Sequence, residues 1–183
     1  NAGAGGVMLP LAADVVAAKR GLVFNPHYST MGLYGSEYWT YTLPRRVGEK
    51  TANKLTGECL PITSEAAREM GMVDITFEGR RACDVLRQAF AEAKRLAPLR
   101  EGILAEKRRR LAEDERKKPL HVHRQEELKE MHDNIFNDTL GFSKKRACFV
   151  QRGKAQQAPD RIAVHRRGQA LDAAPHGYGC AGA

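Results

Sequence analysis

The first residues that could do chemistry form the glycine-rich opening of the chain. Gly5 and Gly6 stand where residues 1–6 lead into an apolar run, and the first turn of a helix leaves main-chain N–H groups unpaired. Such groups can bind a phosphate, or a carbonyl oxygen that gains negative charge during a reaction. Close packing of a helix on a strand explains the same glycines equally well. The motif is not a dinucleotide-binding fingerprint, because the acidic residue expected about 20 residues later is missing.

The cysteines and histidines do not form a metal-binding pattern. The four cysteines are Cys59, Cys83, Cys148 and Cys180. Since none of them forms a C-x-x-C pair, we expect reduced thiols rather than a zinc site or a disulfide framework. His121 and His123 are two residues apart, but no third ligand lies nearby in the sequence, so no metal site is predicted.

Positive charge is concentrated near the end of the chain. The 183 residues include 30 basic and 22 acidic ones, a net charge of +8, and residues 143–167 alone hold eight basic residues and one acidic residue. This segment predicts an anionic partner, with cofactor phosphates, nucleic acid and an acidic protein surface left open. The run from Lys107 to Arg110 is typical of a solvated helix face, although it could also bind phosphates.

Helix and strand signals alternate over the first part of the chain and predict an α/β fold. Residues 5–20 are apolar almost all round and predict a buried helix that ends before Gly21. Pro10 predicts that this helix is kinked there or begins later than residue 5. Residues 22–24 predict a strand that ends at a turn. The other predicted elements are helices from Ser36 towards Leu43 and over 49–56, 64–70 and 82–96, and a strand over 72–77.

The sequence divides into three regions. Residues 1–97 are predicted to form the α/β core, and residues 98–167 a charged helical extension with helices over 101–118 and 125–136. Residues 168–183 are rich in glycine and alanine and are expected to be disordered. No run of about 20 apolar residues and no signal peptide is present, so we expect a cytoplasmic protein. Because the chain begins with Asn rather than Met, we interpret it as a fragment.

A series of motifs runs through residues 1–97 in a characteristic order. The residues that carry it are Gly5-Gly6, Ala12-Ala13-Asp14, Phe24, Leu43, Arg45, Val47-Gly48, Gly57, Ile62, Glu65-Ala66, Gly71 and Val73-Asp74. This order resembles the second half of the crotonase (enoyl-CoA hydratase/isomerase) superfamily. The resemblance implies a partial crotonase-like (ClpP/crotonase) fold that lacks its N-terminal strands, followed by the helical extension.

Further motifs narrow the resemblance within that superfamily. They are Asn25-Pro26-His27-Tyr28, Gly35-Ser36-Glu37-Tyr38-Trp39-Thr40-Tyr41, Leu43-Pro44-Arg45-Arg46-Val47-Gly48 and Arg146-Ala147-Cys148-Phe149-Val150. These segments are similar to the C-terminal domain of the HypX/HoxX family of hydrogenase maturation proteins, and the similarity spans most of the chain.

The resemblance implies a site for a coenzyme A thioester. In crotonases two main-chain N–H groups hold the thioester oxygen, and here Gly5 matches the second of them, with Gly6 beside it. The first donor belongs to an upstream strand outside this chain. In the hydrogenase maturation family the catalytic groups correspond to Tyr28 and Glu37. They act in breaking formyl-CoA into carbon monoxide, an iron ligand of [NiFe]-hydrogenase, and coenzyme A.

The same resemblance makes hydration chemistry a poor fit. Typical hydratases use two glutamates as acid and base, and the matching positions here are Met8 and His27. Of these, only His27 can transfer a proton. Simpler explanations also stay open: Tyr28 as a packing residue and Glu37 as a residue that favours the start of a helix.

The partners expected from the resemblance are an acyl-CoA small molecule and other hydrogenase maturation proteins, with no membrane and no nucleic acid. Tetrahydrofolate is expected to bind in an N-terminal part outside this chain. The alternatives are another hydratase- or isomerase-type reaction and a non-catalytic piece that docks on a partner through its basic segment.

Overall fold

Short strands form two small sheets in the amino-terminal part of this computed structural model, which describes residues 1–151. In the first sheet, β1 (Ala2–Gly3) pairs in parallel with β3 (Val23–Asn25), and β3 pairs antiparallel with β4 (Ile62–Thr63). In the second sheet, β2 (Ala17–Lys19) pairs in parallel with β5 (Ile75–Phe77). Parallel strands joined by long helical connections are typical of α/β proteins, as the sequence predicts.

The helix predicted over residues 5–20 is wrong. Helix α1 is only Gly5–Met8, and it continues as a 3-10 turn over Leu9–Ala12. Pro10 sits in the first turn of that 3-10 segment, where its missing N–H costs nothing, but a longer helix would place it in the interior. The β-branched residues that precede β2 favour extended backbone, so the chain after the turn pairs with β5 instead.

The remaining helices follow the sequence signals more closely. They are α2 (Trp39–Val47), α3 (Glu49–Glu58), α4 (Ser64–Glu69), α5 (Ala82–Leu96), α6 (Arg100–Lys117), α7 (Leu120–Phe136) and α8 (Phe142–Val150). The bounds of α5 are those predicted, and α3, α4 and α6 begin and end within two residues of their predictions. In contrast, α2 begins three residues after Ser36, α7 begins five residues before its predicted start, and α8 has no counterpart among the predicted elements.

The hydrophobic core lies where α1 to α4 meet. Its fully buried members are Met8, Leu43, Ala52 and Ala67. Tyr28 and Trp39 belong to the same cluster, so part of the aromatic-rich segment is core, as expected. None of the residues 1–151 belongs to a helix long and apolar enough to cross a membrane.

The C-terminal helices pack on this core at the turn that follows Tyr28. Gly32, with φ +73°, lies so close to α8 that a Cβ there would be 2.6 Å from the Cα of Phe142. Lys145 on the same helix donates a hydrogen bond of 3.0 Å to the main-chain oxygen of Ser29. The boundary between residues 97 and 98 stays a prediction, and the expectations for residues 152–183 lie outside the described residues.

Replacing Gly32 by alanine tests this packing. The variants Gly32→Ala and Gly21→Ala both place a Cβ at positive φ, but nothing lies within 4 Å of Gly21. We expect Gly21→Ala to lower the free energy of unfolding by about 1 kcal/mol from backbone strain. Gly32→Ala should lower the free energy of unfolding by about 1–3 kcal/mol more than Gly21→Ala does, because the backbone of α8 has to move. Equal losses in urea titrations of the two variants would show that α8 does not pack on this turn.

Candidate active site

The turn between β1 and α1 presents the main chain of Gly5. The turn is tight because Ala4, with φ 47° and ψ −126°, adopts a backbone conformation that alanine rarely takes. The Ala4 N–H donates to the main-chain oxygen of Asn25, at 2.9 Å. Gly5 and Gly6 then occupy the first two helical positions, where N–H groups have no carbonyl within the helix to bind. Since α1 has only four residues, these N–H groups rather than a long helix dipole would supply any attraction for an anion.

The Glu37 carboxylate packs directly against Gly5. A Cβ built on Gly5 would lie 3.1 Å from Oε1 and 3.4 Å from Cδ of Glu37, closer than side chains normally approach. The other oxygen, Oε2, accepts a hydrogen bond of 2.9 Å from the Ser36 N–H. The absence of a side chain at Gly5 therefore leaves room for the Glu37 carboxylate, which neither explanation from the sequence includes.

The Tyr28 ring packs on Gly35, two residues before Glu37. At Gly35 φ is +92°, and a Cβ would lie only 2.4 Å from Cε2 of the ring. The hydroxyl is buried and makes no hydrogen bond of good geometry within residues 1–151. Burial raises the pKa of Tyr28, and the neighbouring Glu37 carboxylate raises that pKa further. Tyr28 is thus a protonated phenol at neutral pH.

Of the predicted site residues, the structure brings Gly5, Glu37 and Tyr28 together. His27 is buried next to them in the chain, and its Nδ1 lies 3.5 Å from Oγ1 of Thr30. Burial lowers the pKa of His27, so its imidazole is neutral. The described contacts of the His27 ring do not include Glu37 or Gly5. Whether any of these residues acts in catalysis stays a prediction.

A cleft of about 200 Å³ opens beside Tyr28. The rings of Tyr34 and Trp39, with centroids 5.2 Å apart, form part of its wall together with Asn53 and Thr56. The Trp39 Nε1–H group is buried and has no partner within the described part of the chain. Gly5 and Glu37 are not among the residues that line this cleft.

Sequence reasoning missed the buried carboxylate of Glu127 on α7. This residue is completely buried, and its Oε2 accepts a hydrogen bond of 2.8 Å from the Tyr38 N–H. Its Oε1 accepts from the N–H and the Oγ1–H of Thr40, at 2.9 and 2.7 Å. Helix α2 begins at Trp39 because this carboxylate binds the N–H groups on both sides of that residue. The signal in the sequence was the spacing of His123, Glu127, Met131 and Asn134 along one helix face.

The two histidines at the start of α7 lie in different surroundings, since His123 contacts Thr40 and His121 faces solvent. His123 is buried, its Nδ1 lies 3.0 Å from Oγ1 of Thr40, and burial lowers its pKa. His121 is exposed. No group of three or more potential metal ligands occurs within residues 1–151. The basic run on α6 is largely paired, since Lys107 contacts Asp14 and Arg109 contacts Glu106, at 2.9 and 2.8 Å.

Comparison with known proteins places the chain in a family. The family model of enoyl-CoA hydratase/isomerase matches residues 1–156. The hydrogenase maturation factor HoxX of Bradyrhizobium diazoefficiens is 42% identical over 168 residues, which are 91% of this chain and 30% of HoxX. YhaR of Bacillus subtilis, a putative enoyl-CoA hydratase/isomerase, is 34% identical over 74 residues, 40% of this chain and 29% of YhaR.

Solved structures share the fold. HypX from Aquifex aeolicus in complex with tetrahydrofolic acid has a TM-score of 0.74 and 34% identity, over 90% of this chain and 30% of HypX. An enoyl-CoA hydratase/isomerase from Pseudoalteromonas atlantica has a TM-score of 0.67 at 20% identity, over 85% of this chain and 60% of that chain. The second likeness shows the fold alone. The chain therefore spans about 30% of the length of HoxX and HypX.

These comparisons confirm the crotonase-like α/β fold and the similarity to hydrogenase maturation proteins. The coverage of the solved hydratase also agrees with the expectation that only part of the fold lies in this chain. By its family match and by its structure, the chain belongs to the enoyl-CoA hydratase/isomerase family, the crotonase superfamily, with the hydrogenase maturation proteins HoxX and HypX among its relatives.

Proposed function

We propose that this chain is the crotonase-like part of a [NiFe]-hydrogenase maturation protein, and that the complete protein breaks formyl-CoA into carbon monoxide and coenzyme A. The observation that carries the proposal is the contact of the Glu37 carboxylate with Gly5, next to the buried phenol of Tyr28. The relatives HoxX and HypX support the same biological context.

The reaction makes simple demands on the site. The C–H and C–S bonds of the formyl thioester break and an S–H bond forms, so the formyl proton ends on sulfur and no oxidant or reductant is needed. A base must accept the proton, an acid must return it to sulfur, and water must be kept out because it would hydrolyse the thioester to formate. A carboxylate that moves one proton can perform both transfers.

The structure favours a division of tasks between the two side chains. Glu37 carries the proton, since a carboxylate can accept it from carbon and release it to sulfur. Tyr28 keeps its own proton, because its pKa is raised, and donates a hydrogen bond to the reacting group. The Gly5 N–H donates to the thioester oxygen as charge develops there. Tyr34 and Trp39, which line the cleft next to Tyr28, would provide apolar surface for the bound thioester.

The remaining partners follow from the same proposal. Coenzyme A enters as the formyl thioester, held by the main chain of Gly5 and Gly6. Tetrahydrofolate would deliver the formyl group at a site outside this chain, as the tetrahydrofolic acid complex of HypX suggests. Other hydrogenase maturation proteins would receive the carbon monoxide in the cytoplasm, without a membrane or nucleic acid partner.

Carbon monoxide release from formyl-CoA tests the proposal. We expect Glu37→Gln in the complete protein to lower the rate about 10²- to 10⁴-fold, because the proton carrier is lost. Tyr28→Phe should cost about 10- to 100-fold, because one hydrogen bond to the reacting group is lost. A haem protein that binds carbon monoxide measures the rate, and Glu49→Gln and Tyr41→Phe serve as matched controls. Formate as the main product, or turnover of enoyl-CoA instead, contradicts the proposal.

Stability at alkaline pH tests the protonation state of Tyr28. Its pKa is raised in the folded state above the unfolded value of about 10. Above pH 10 the unfolded state therefore loses the proton while the folded state keeps it, and the free energy of unfolding falls by about 1.4 kcal/mol per pH unit. Below pH 10 the contribution of the protonated Tyr28 to the free energy of unfolding is fully present. Urea titrations between pH 9 and 11 should show a less steep fall for Tyr28→Phe, and identical slopes would mean that Tyr28 ionises normally.

A further inference from the structure

The main chain on both sides of Glu37 is held by a helix that comes about 90 residues later in the sequence. The Sδ atom of Met131 on α7 accepts a hydrogen bond of 3.2 Å from the Gly35 N–H. Glu127, one turn earlier on the same helix, binds the N–H groups of Tyr38 and Thr40. Residues two before, one after and three after Glu37 are thus all fixed by side chains of α7.

Interactions within residues 38–40 do not explain the backbone conformation of this segment. Tyr38 has φ 56° and ψ 28°, a left-handed conformation that costs free energy in a residue with a Cβ. No side chain of α2 itself caps its first turn. The hydrogen bonds to Glu127 offset the free energy of the left-handed Tyr38. They also supply the carboxylate acceptor that the unpaired N–H groups at the start of α2 would otherwise lack.

Packing alone would not favour a glutamate at this position. Glu127 is completely buried, and its partners in the described part of the chain are N–H and O–H groups rather than a cation. Burying a carboxylate costs much more than burying an apolar side chain of the same size. The same helix leaves Leu128 and Phe136 exposed to solvent, at 44% and 72%. Helix α7 therefore buries its polar face against the Glu37 segment and not its apolar one.

We propose that Glu127 is a positioning residue, which fixes the backbone of residues 38–40 and so holds the Glu37 carboxylate against Gly5 and beside Tyr28. Its effect on the rate rests on the proposed function, whereas its effect on the backbone does not. A carboxylate displaced by about 1 Å can lose on the order of 100-fold in rate. The α7 part of the extension is then part of the active site's support.

Glu127→Gln is the main test in the complete protein, with Glu130→Gln, an exposed glutamate of the same helix, as the matched control. The glutamine amide keeps the size of the side chain but points an N–H₂ group at one of the main-chain donors. Hydrogen exchange followed by mass spectrometry should show exchange at least about tenfold faster in peptides covering residues 35–42, with β2 unchanged. Glu130→Gln should leave both segments unchanged.

Kinetics separate positioning from a general loss of structure. For Glu127→Gln we expect kcat for carbon monoxide release to fall about 10- to 100-fold, with KM for formyl-CoA changed by less than about threefold. In a Glu37→Gln background the same change should have little further effect, because Glu127 acts through Glu37. If Glu127→Gln unfolds the protein, Thr40→Val removes one of the three hydrogen bonds and should shift exchange in the same direction by a smaller factor.

Each outcome decides one claim. Unchanged exchange over residues 35–42 overturns the inference whether or not the protein releases carbon monoxide. Faster exchange with an unchanged kcat in an active wild type also overturns it, since Glu37 would not depend on the held backbone. A wild type that releases no carbon monoxide refutes the proposed function, while the exchange data still decide whether Glu127 holds the segment.

Discussion

The absence of a side chain at Gly5 is the constraint on which the site depends. Only a glycine lets the Glu37 carboxylate approach the first turn of α1 without displacement, since a Cβ there would stand 3.1 Å from Oε1. The approach brings the Glu37 carboxylate against the first residue of α1, in a turn that already contains the strained Ala4. In the proposed reaction, a formyl thioester whose oxygen accepts from the Gly5 N–H would place its formyl carbon near Glu37.

The C-terminal helices belong to this arrangement. Helix α7 binds the main chain around Glu37, and α8 packs on the turn after Tyr28 through Gly32. Two helices that lie far away in sequence thus contact the main chain next to the two proposed catalytic residues. Side chains of α7 and α8 therefore contact the segments that carry Glu37 and Tyr28, and the boundary between residues 97 and 98 stays a prediction.

The sequence was informative where local signals dominate. The bounds of α5, and those of α4 to within one residue, follow from periodicity and helix-end signals. The structure adds the cap of α4, where Oγ1 of Thr63 accepts from the Ala66 N–H at 3.2 Å. It failed where distant contacts decide, as in the start of α2, which depends on Glu127. The amphipathic rule also failed on α7, because it expects apolar residues inside, whereas this helix buries a carboxylate. The grouping of Gly5, Glu37 and Tyr28 came from family resemblance and not from spacing.

The most direct test of the site is a crystal structure of the complete protein with a stable formyl-CoA analogue. The arrangement predicts that the carbonyl oxygen of the analogue accepts a hydrogen bond of about 2.7–3.1 Å from the Gly5 N–H. The Glu37 carboxylate should lie within contact distance of the formyl carbon, and the Tyr28 hydroxyl should donate to the thioester group. A thioester that binds away from Gly5 would contradict the proposed role in formyl-CoA cleavage. So would an analogue that contacts neither the Glu37 nor the Tyr28 side chain.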